Sequence, residues 1–218
     1  MDIKGKKIAF LGDSITEGVG VSDISRVYWK LLEERDGCVS YGFGISGSRI
    51  AKQHTPSENT RMDKYFGSRI PELTEDADMV VVFGGTNDYG HGDAPIGEFS
   101  DRDTDTFYGA LHNLCQGLME KYPTGTIIFM TPLHRAVEDK YINDYGVRNV
   151  GTLKDYVEII KEVCEYYSIP VLDLYALSGI QPQIEVNRAV YAPDGLHPSD
   201  AGNELIYSRL SAFIKNLL

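Results

Sequence analysis

The chain has 218 residues, of which 42% are hydrophobic and 24% are charged, as in an ordinary soluble protein. A chain of this length buries enough apolar surface to fold without disulfides or bound metal, and we expect a single domain over residues 1–218. The 21 Lys and Arg residues against 32 Asp and Glu residues give a net charge of −11. This balance argues against nucleic acid and anionic membranes as partners, because both attract clustered cations.

The cysteines and the amino-terminal residues are typical of an intracellular protein. Cys38, Cys115 and Cys164 are far apart and form no CxxC pair, so we expect free thiols and no zinc site. The acidic run Asp101–Asp105 lacks the glycine and glutamate of a calcium loop, and no metal is expected. The apolar stretch Ile8–Leu11 is too short for a signal peptide, and no segment is long enough to span a bilayer. These features favour a cytoplasmic location.

Short runs rich in β-branched residues alternate with longer amphipathic runs. Strands are predicted at Lys7–Leu11, Cys38–Phe43, Met79–Phe83, Thr126–Thr131 and Val171–Asp173, each apolar enough to be buried on both faces. Apolar stripes predict three helices, with a weaker fourth over Ile24–Glu34; the stripes are Phe107, Leu111, Leu114 and Leu118, then Val150, Leu153, Val157, Ile160, Cys164 and Tyr167, then Ile206, Leu210, Phe213 and Leu217. This alternation predicts an α/β fold, a three-layer α/β/α sandwich with about five parallel strands.

The segments between these elements are predicted to be irregular. They cover Gln53–Thr60, Gly84–Ser100, Pro132–Arg148 and Leu174–Pro193. Most of them follow a predicted strand, so we expect them at the edge of the sheet where strands end, which is where open α/β sheets build their sites.

Polar residues stand at the carboxyl ends of the predicted strands. Ser14 follows the first strand in Gly12-Asp13-Ser14, and Asp194 and His197 lie in Asp194-Gly195-Leu196-His197-Pro198 before the last helix. A serine hydroxyl becomes a nucleophile beside an imidazole that a carboxylate orients. Ser14, His197 and Asp194 supply these three groups. A tight turn at Gly195 would let the aspartate and histidine side chains meet.

Acyl transfer also needs donors for the charge that develops on the carbonyl oxygen. The Ser14 amide, the Gly47 amide after the second strand and the Asn87 carboxamide after the third strand are candidates. Gly47 lacks a Cβ, so its N–H can approach a substrate closely. Asp13 and Asp88 are interpreted as structural carboxylates that accept backbone N–H groups.

These residues, in this order between Gly12 and Pro198, resemble the SGNH hydrolases of the GDSL esterase and lipase family. The resemblance implies a flavodoxin-like fold, with Ser14 as nucleophile, His197 as base and Asp194 as its orienter. It implies an oxyanion hole of Ser14, Gly47 and Asn87, and no cofactor. Two departures are visible: Ile15 replaces the leucine of the GDSL motif, and Gly42 stands where many members have asparagine. The second departure concerns the hydrogen bonding that supports the Gly47 loop.

Two readings from other classes compete with hydrolysis. Gly42-Phe43-Gly44-Ile45-Ser46-Gly47 fits the G-x-G-x-x-G pattern of dinucleotide-binding proteins. That pattern requires a helix directly after it and a further strand with an acidic end, and the region near Asp63 carries no strand signal. The other reading is a non-catalytic binding module that kept the fold.

The substrate is expected to be a small-molecule ester. The acidic composition and the lack of a membrane-binding amphipathic stretch disfavour bulk lipid. The segments Asp88–Phe99 and Pro132–Arg148 are expected to wall the cleft, the second with His134, Arg135, Tyr141, Tyr145 and Arg148. Such side chains suit a sugar, and the family resemblance adds that short acyl groups are frequent. We therefore expect an esterase for acetyl or other short acyl groups on a carbohydrate or small alcohol, with a lysophospholipase or thioesterase as the alternative.

Overall fold

The computed structural model describes residues 3–141 and 151–217. Within them, one sheet holds β1 (Lys7–Gly12), β2 (Val39–Gly44), β3 (Met79–Phe83), β4 (Thr126–Met130) and β5 (Val171–Leu172). The strands are all parallel, in the order β2-β1-β3-β4-β5. This is the flavodoxin-like order, in which the direction of winding reverses between β1 and β3 and leaves a crevice at their carboxyl ends. The predicted fold class is confirmed.

Helices cover both faces of the sheet. They are α1 (Ser14–Glu17), α2 (Tyr28–Asp36), α3 (Thr86–His91), α4 (Phe107–Lys121), α5 (Leu153–Tyr166), α6 (Leu174–Leu177), α7 (Glu185–Tyr191) and α8 (Asp200–Leu217). Side chains of a strand alternate between the faces. Val80 and Val82 of β3 therefore join the core under α4 and α5, whereas Val81 and Phe83 join the core under α2 and α8. Three layers result.

The long helices begin where the sequence supplies a cap. Thr106 accepts the backbone N–H of Gly109 at the start of α4, and Thr152 and Asp155 form a capping box at the start of α5. The apolar stripe predicted from Val150 onward continues through α5, although Val150 itself lies outside the described residues. The predicted helix Ile24–Glu34 is divided: a 3-10 turn at Ile24–Arg26 and α2 are separated by Val27, which is extended with φ −67° and ψ 141°.

The prediction that every strand is buried on both faces is wrong for β2. Val39 is exposed, and of the six residues of β2 only Ser40 is buried. The reason is topological, because β2 is one of the two edge strands of the sheet. The local sequence of a strand does not say which strand lies at the edge.

The segments predicted to be irregular contain short helices. α3 lies within Gly84–Ser100, and α6 and α7 lie within Leu174–Pro193. Further 3-10 helices span Thr60–Asp63 and Phe66–Glu72. In the segment after β4, residues 132–141 hold no regular element, and 142–150 lie outside the described residues. Across the described ranges, no helix combines the length and the apolar character that crossing a bilayer requires.

Candidate active site

Ser14 is the first residue of α1, directly beyond the carboxyl end of β1. The carboxylate of Asp13 caps this helix, since its Oδ1 accepts the backbone N–H of Ile15 at 3.0 Å. Burial raises the pKa of Asp13 to about 7, against the opposing effect of that hydrogen bond. Asp13 therefore holds the turn that presents Ser14, as interpreted from the sequence. Ser14 itself is 5% exposed.

Asp194 and His197 leave one tight turn together. The carboxylate Oδ1 of Asp194 accepts the backbone N–H groups of Leu196 at 2.9 Å and His197 at 2.7 Å. Its other oxygen, Oδ2, lies 2.6 Å from Nδ1 of His197. Gly195 supplies the left-handed backbone of the turn, with φ +84°.

The imidazole of His197 lies between Asp194 and Ser14. Its Nε2 is 3.0 Å from Oγ of Ser14, so the fold brings together a hydroxyl and an imidazole that are 183 positions apart. Partial burial raises the pKa of Asp194, but hydrogen bonds from the His197 side chain and from two backbone amides outweigh it, and the net pKa is lowered. An ionised carboxylate only accepts hydrogen bonds, so Nδ1 carries the proton and Nε2 presents its lone pair to Ser14.

A neighbouring loop fastens this turn. The backbone N–H of Ala136 donates to the carbonyl of Gly195 at 2.7 Å. Glu138, which is buried, holds the loop in shape by accepting His134 Nδ1–H at 2.7 Å and the Arg135 backbone N–H at 2.8 Å. His134 and Arg135, which were expected in the cleft wall, therefore stabilise this loop.

Of the other three residues expected in the cleft wall, the structure describes one. Tyr141 is exposed at the end of the first described range. Tyr145 and Arg148 lie outside the described residues.

Gly47 lies in the loop that follows β2, with φ +75°. The loop is tied to α1 through Glu17, whose Oε2 accepts both the backbone N–H of Ser46, at 2.7 Å, and the Ser46 hydroxyl. Met62 closes one side, because a Cβ on Gly47 would stand 2.4 Å from its Cε. Within the described ranges, neither the Gly47 N–H nor the Ser14 N–H donates to a protein acceptor. A backbone N–H without a protein acceptor can donate to a bound oxygen.

Asn87 lies in the first turn of α3, beyond the end of β3. Its Nδ2 donates to the carbonyl of Ser48 at 3.0 Å, and its Oδ1 is 3.1 Å from Nε2 of His91. A carboxamide nitrogen carries two hydrogens, so one donor remains beyond the Ser48 contact. The carboxylate of the adjacent Asp88 is buried and accepts the backbone N–H groups of Ile50 and Ala51 at 3.0 and 2.8 Å. Burial raises the pKa of Asp88 to about 6, and its contacts agree with the structural role predicted for it.

Arg69 joins the strand ends beneath the site and was not identified from the sequence. Its guanidinium donates to the carbonyl of Gly12 at 3.0 Å, to the Ser48 hydroxyl at 3.1 Å and to the carbonyl of Phe43. The side chain is buried, and burial lowers its pKa to about 10. One cation thus links the ends of β1 and β2 with the loop that carries Gly47.

The departure at Gly42 has a packing reason. A Cβ there would stand 2.4 Å from Cζ2 of Trp29, whose indole N–H donates to the carbonyl of Thr16 at 2.9 Å in α1. Glycine is therefore required beside this indole. The Gly47 loop is supported instead by Glu17 and Arg69.

The fold excludes a dinucleotide-binding role for Gly42–Gly47. After Gly44 the chain enters a loop, and the next helical turn in the described residues begins only at Thr60. A phosphate-binding glycine motif needs a helix that starts at the motif itself.

Sequence reasoning also missed Glu17, Arg49 and His91. His91 follows Asn87 by four positions, a spacing that places both on one side of a helix. That spacing is the signal by which His91 could have been found. Glu17 and Arg49 reach their partners from distant positions, and no local pattern marks them.

Comparisons with known proteins identify the family and show the same fold. A model of the GDSL-like lipase/acylhydrolase family matches residues 10–205. A solved structure of a protein from Lactobacillus plantarum is 34% identical, with 99% of each chain covered and a TM-score of 0.83. Two more distant structures show the same fold. A lipase/acylhydrolase from Enterococcus faecalis is 22% identical, with 98% of this chain and 97% of that chain covered and a TM-score of 0.64. An acetyl xylan esterase is 20% identical, with 95% and 99% covered and a TM-score of 0.64. No curated protein matches this chain.

Proposed function

The chain belongs to the GDSL-like lipase/acylhydrolase family and is a carboxylic ester hydrolase, and we propose that it removes short acyl groups, acetyl above all, from a carbohydrate or another small alcohol. Ser14 is the proposed nucleophile, His197 the base and Asp194 the residue that orients it. The observation that carries this proposal is the pair of contacts of His197, 3.0 Å from Ser14 Oγ and 2.6 Å from Asp194 Oδ2.

In the first half of the reaction, Ser14 Oγ attacks the ester carbonyl carbon while its proton moves to Nε2 of His197. The imidazolium that forms is stabilised by the carboxylate of Asp194. When the tetrahedral intermediate collapses, the bond to the alcohol oxygen breaks and His197 gives its proton to that oxygen. The alcohol leaves, and the acyl group remains on Ser14.

In the second half, water takes the place of the alcohol. His197 removes a proton from water as the oxygen attacks the acyl carbon, and it returns that proton to Ser14 Oγ as the acid leaves. The enzyme is restored, and every proton has moved among Ser14, His197, the alcohol and water.

The negative oxygen of each tetrahedral intermediate needs donors that are in place beforehand. The proposed donors are the backbone N–H groups of Ser14 and Gly47 and the second Nδ2 hydrogen of Asn87. The unengaged amides of Ser14 and Gly47 support this assignment. Three donors from α1, the loop after β2 and α3 would converge on the crevice between β1 and β3.

Two features support a small acyl group. Ser14 and Asn87 are each only 5% exposed, so a carbonyl must reach a recessed oxygen. An apolar groove of about 650 Å³, lined in part by Met119, Tyr122, Ile127 and Leu217, lies at the amino-terminal edge of the sheet. That edge is opposite to Ser14, so this groove is not available to the acyl chain of an ester bound there.

The experiment that tests this proposal is a series of nitrophenyl esters of rising acyl length, followed by acetylated sugars, with the wild type and the Ser14→Ala variant. The proposal predicts the highest kcat/KM for acetate, a steep fall beyond butyrate and no turnover by the variant. Rising kcat/KM with chain length would favour the lysophospholipase or thioesterase alternative instead. Acyl thioesters of matched chain length then distinguish a thioesterase, which hydrolyses them, from a lysophospholipase.

A further inference from the structure

A chain of contacts leads from a buried cation to the proposed oxyanion donor. The guanidinium Nη1 of Arg49 lies 2.9 Å from Nδ1 of His91, and Nε2 of His91 lies 3.1 Å from Oδ1 of Asn87. We infer that Arg49 and His91 are positioning residues for the reaction: Arg49 selects the tautomer of His91, and His91 orients the Asn87 carboxamide. The inference rests on the proposed function, because it concerns the same oxyanion site.

Arg49 determines which nitrogen of His91 carries the proton. A guanidinium has five N–H donors and no acceptor, so Nδ1 of His91 accepts the hydrogen bond and has no proton. The neutral ring then carries its proton on Nε2. A proton on Nδ1 would face the guanidinium N–H at 2.9 Å, and two donors with no acceptor between them make no hydrogen bond.

His91 and Ser48 together determine how the carboxamide of Asn87 is turned. Nε2–H of His91 is a donor, so it faces the carboxamide oxygen. The carbonyl of Ser48 is an acceptor, so it faces Nδ2, at 3.0 Å. Turning the amide over would bring two donors together at one end and two acceptors together at the other. The arrangement therefore fixes Nδ2, the group that donates to the substrate oxygen.

Arg49 is itself held in place by contacts on the side of its guanidinium that faces away from His91. Its side chain is 2% exposed, and Nη2 donates to Asp63 at 2.6 Å, to the Ser57 hydroxyl at 3.2 Å and to the carbonyl of Met62 at 3.3 Å. Asp63 also accepts the Ser57 backbone N–H at 2.9 Å. A buried cation with these partners holds its geometry, which a flexible surface side chain would not.

The chain of contacts bears on the transition state because charge develops on the substrate oxygen only there. Hydrogen bonds in series polarise one another, so the cation at Arg49 strengthens Nδ2–H of Asn87 as a donor through His91. An interaction of this kind is felt in kcat more than in KM.

The kinetic test measures His91→Ala and His91→Gln in the wild type and in an Asn87→Ala background. Removing an oxyanion donor costs about 100- to 1000-fold in kcat, and we expect His91→Ala to cost about 10- to 100-fold, with KM changed less than threefold. His91→Gln keeps both an N–H donor and an acceptor oxygen on the side chain, so it should recover most of the loss. In the Asn87→Ala background, His91→Ala should add less than about twofold, because the residue it acts through is gone.

The matched control is His54→Ala, which removes an exposed imidazole whose Nε2 lies 3.0 Å from the carbonyl oxygen of Asp105, and which should leave kcat unchanged. Circular dichroism and the unfolding transition of each variant separate loss of fold from loss of rate. Independent losses from His91→Ala and Asn87→Ala, which multiply in the double variant, would overturn the inference.

A second measurement does not depend on turnover. Long-range proton–nitrogen spectra of the imidazole, assigned by the signal that His91→Gln removes, should show the Nε2–H tautomer of His91 at neutral pH. Arg49→Lys, which keeps the charge but loses the planar fork, should weaken or shift that signal. An Nδ1–H tautomer would refute the inference even if the proposed esterase activity holds. An Nε2–H tautomer in a protein without esterase activity would count against the proposed function alone.

Discussion

Glu17 lies one turn after Ser14 on α1, and its carboxylate accepts the backbone N–H of Ser46 at 2.7 Å. The same carboxylate pairs with Arg61 at 2.7 Å through its other oxygen. One side chain thus joins the helix that carries the proposed nucleophile to the loop that carries Gly47. The distance between two of the proposed oxyanion donors depends on this contact.

Glu17→Ala is expected to lower kcat by about 10-fold, a fraction of the loss from removing a donor, because the Gly47 loop is no longer tied to α1. The lost hydrogen bonds to a charged group should reduce the free energy of unfolding by about 1 to 3 kcal/mol. Ester kinetics and urea unfolding measure both effects. Glu72→Ala, which breaks an exposed pair with Lys64, is the matched control and should change neither. Equal kinetics in the two variants would contradict the role given to Glu17.

Asp194→Asn is expected to lower kcat by about 1000- to 10,000-fold while the protein stays folded. The carboxamide oxygen can still accept the N–H groups of Leu196 and His197, so the turn is kept. Its NH2 would then face Nδ1 of His197, which must become the acceptor. The ring proton therefore moves to Nε2. Nε2 then has no lone pair with which to accept the proton of Ser14. Asp105→Asn, a change at an exposed residue paired with Lys52, should leave kcat unaltered, and a wild-type rate in Asp194→Asn would argue against the orienting role.

Gly47→Ala is expected to lower kcat by about 100-fold. The residue has φ +75°, a conformation that costs an L-residue about 1 to 2 kcal/mol, and the added methyl would collide with Met62. The double variant Gly47→Ala with Met62→Ala separates the two causes, since it removes the collision but not the backbone strain. Unchanged kcat in Gly47→Ala would exclude the Gly47 amide as an oxyanion donor.

Asp13 makes stability depend on pH. Its pKa is about 7 in the folded chain, above its ordinary value of 3.8, so the folded chain keeps a proton that the unfolded chain releases. The stabilisation from this proton is complete below the ordinary value and is lost as the pH rises to about 7. The free energy of unfolding of the wild type should therefore fall between pH 5 and about 7.

Asp13→Asn should reduce that fall, because asparagine keeps the cap on Ile15 and does not titrate. The part of the fall that remains is due to Asp88, whose pKa is raised to about 6. Urea unfolding of both proteins across this range is the measurement. Parallel profiles for the wild type and the variant would show that Asp13 does not carry the effect.

The sequence predicted the fold class, and it placed Ser14 and Asn87 at one edge of the sheet for one physical reason. Parallel strands end at one edge of a sheet, so polar residues that follow successive strands are close in space whatever their separation along the chain. Four-residue helices such as α1 and α6 are too short to show periodicity, and they were missed. The exposure of β2 follows from its place in the strand order, which the sequence of that strand does not contain.

The supporting residues were not predictable in the same way. The sequence favours an exposed position for Arg69, since arginine is seldom fully buried, but the side chain is buried. Its partners Gly12 and Ser48 are 57 and 21 positions away, so no local pattern indicates them. Arg49 and His91 are 42 positions apart. These contacts depend on how loops pack, whereas a motif depends only on order along the chain.

Labelling with a fluorophosphonate, read by intact mass and by peptide mapping, tests the identity of the nucleophile most directly. The proposed chemistry predicts one adduct per chain, on Ser14, that forms in step with loss of esterase activity and does not form in Ser14→Ala. Slower labelling of Asp194→Asn is also expected, because His197 would no longer activate the hydroxyl. An adduct on another residue, or full ester turnover by Ser14→Ala, would contradict the proposed role of Ser14.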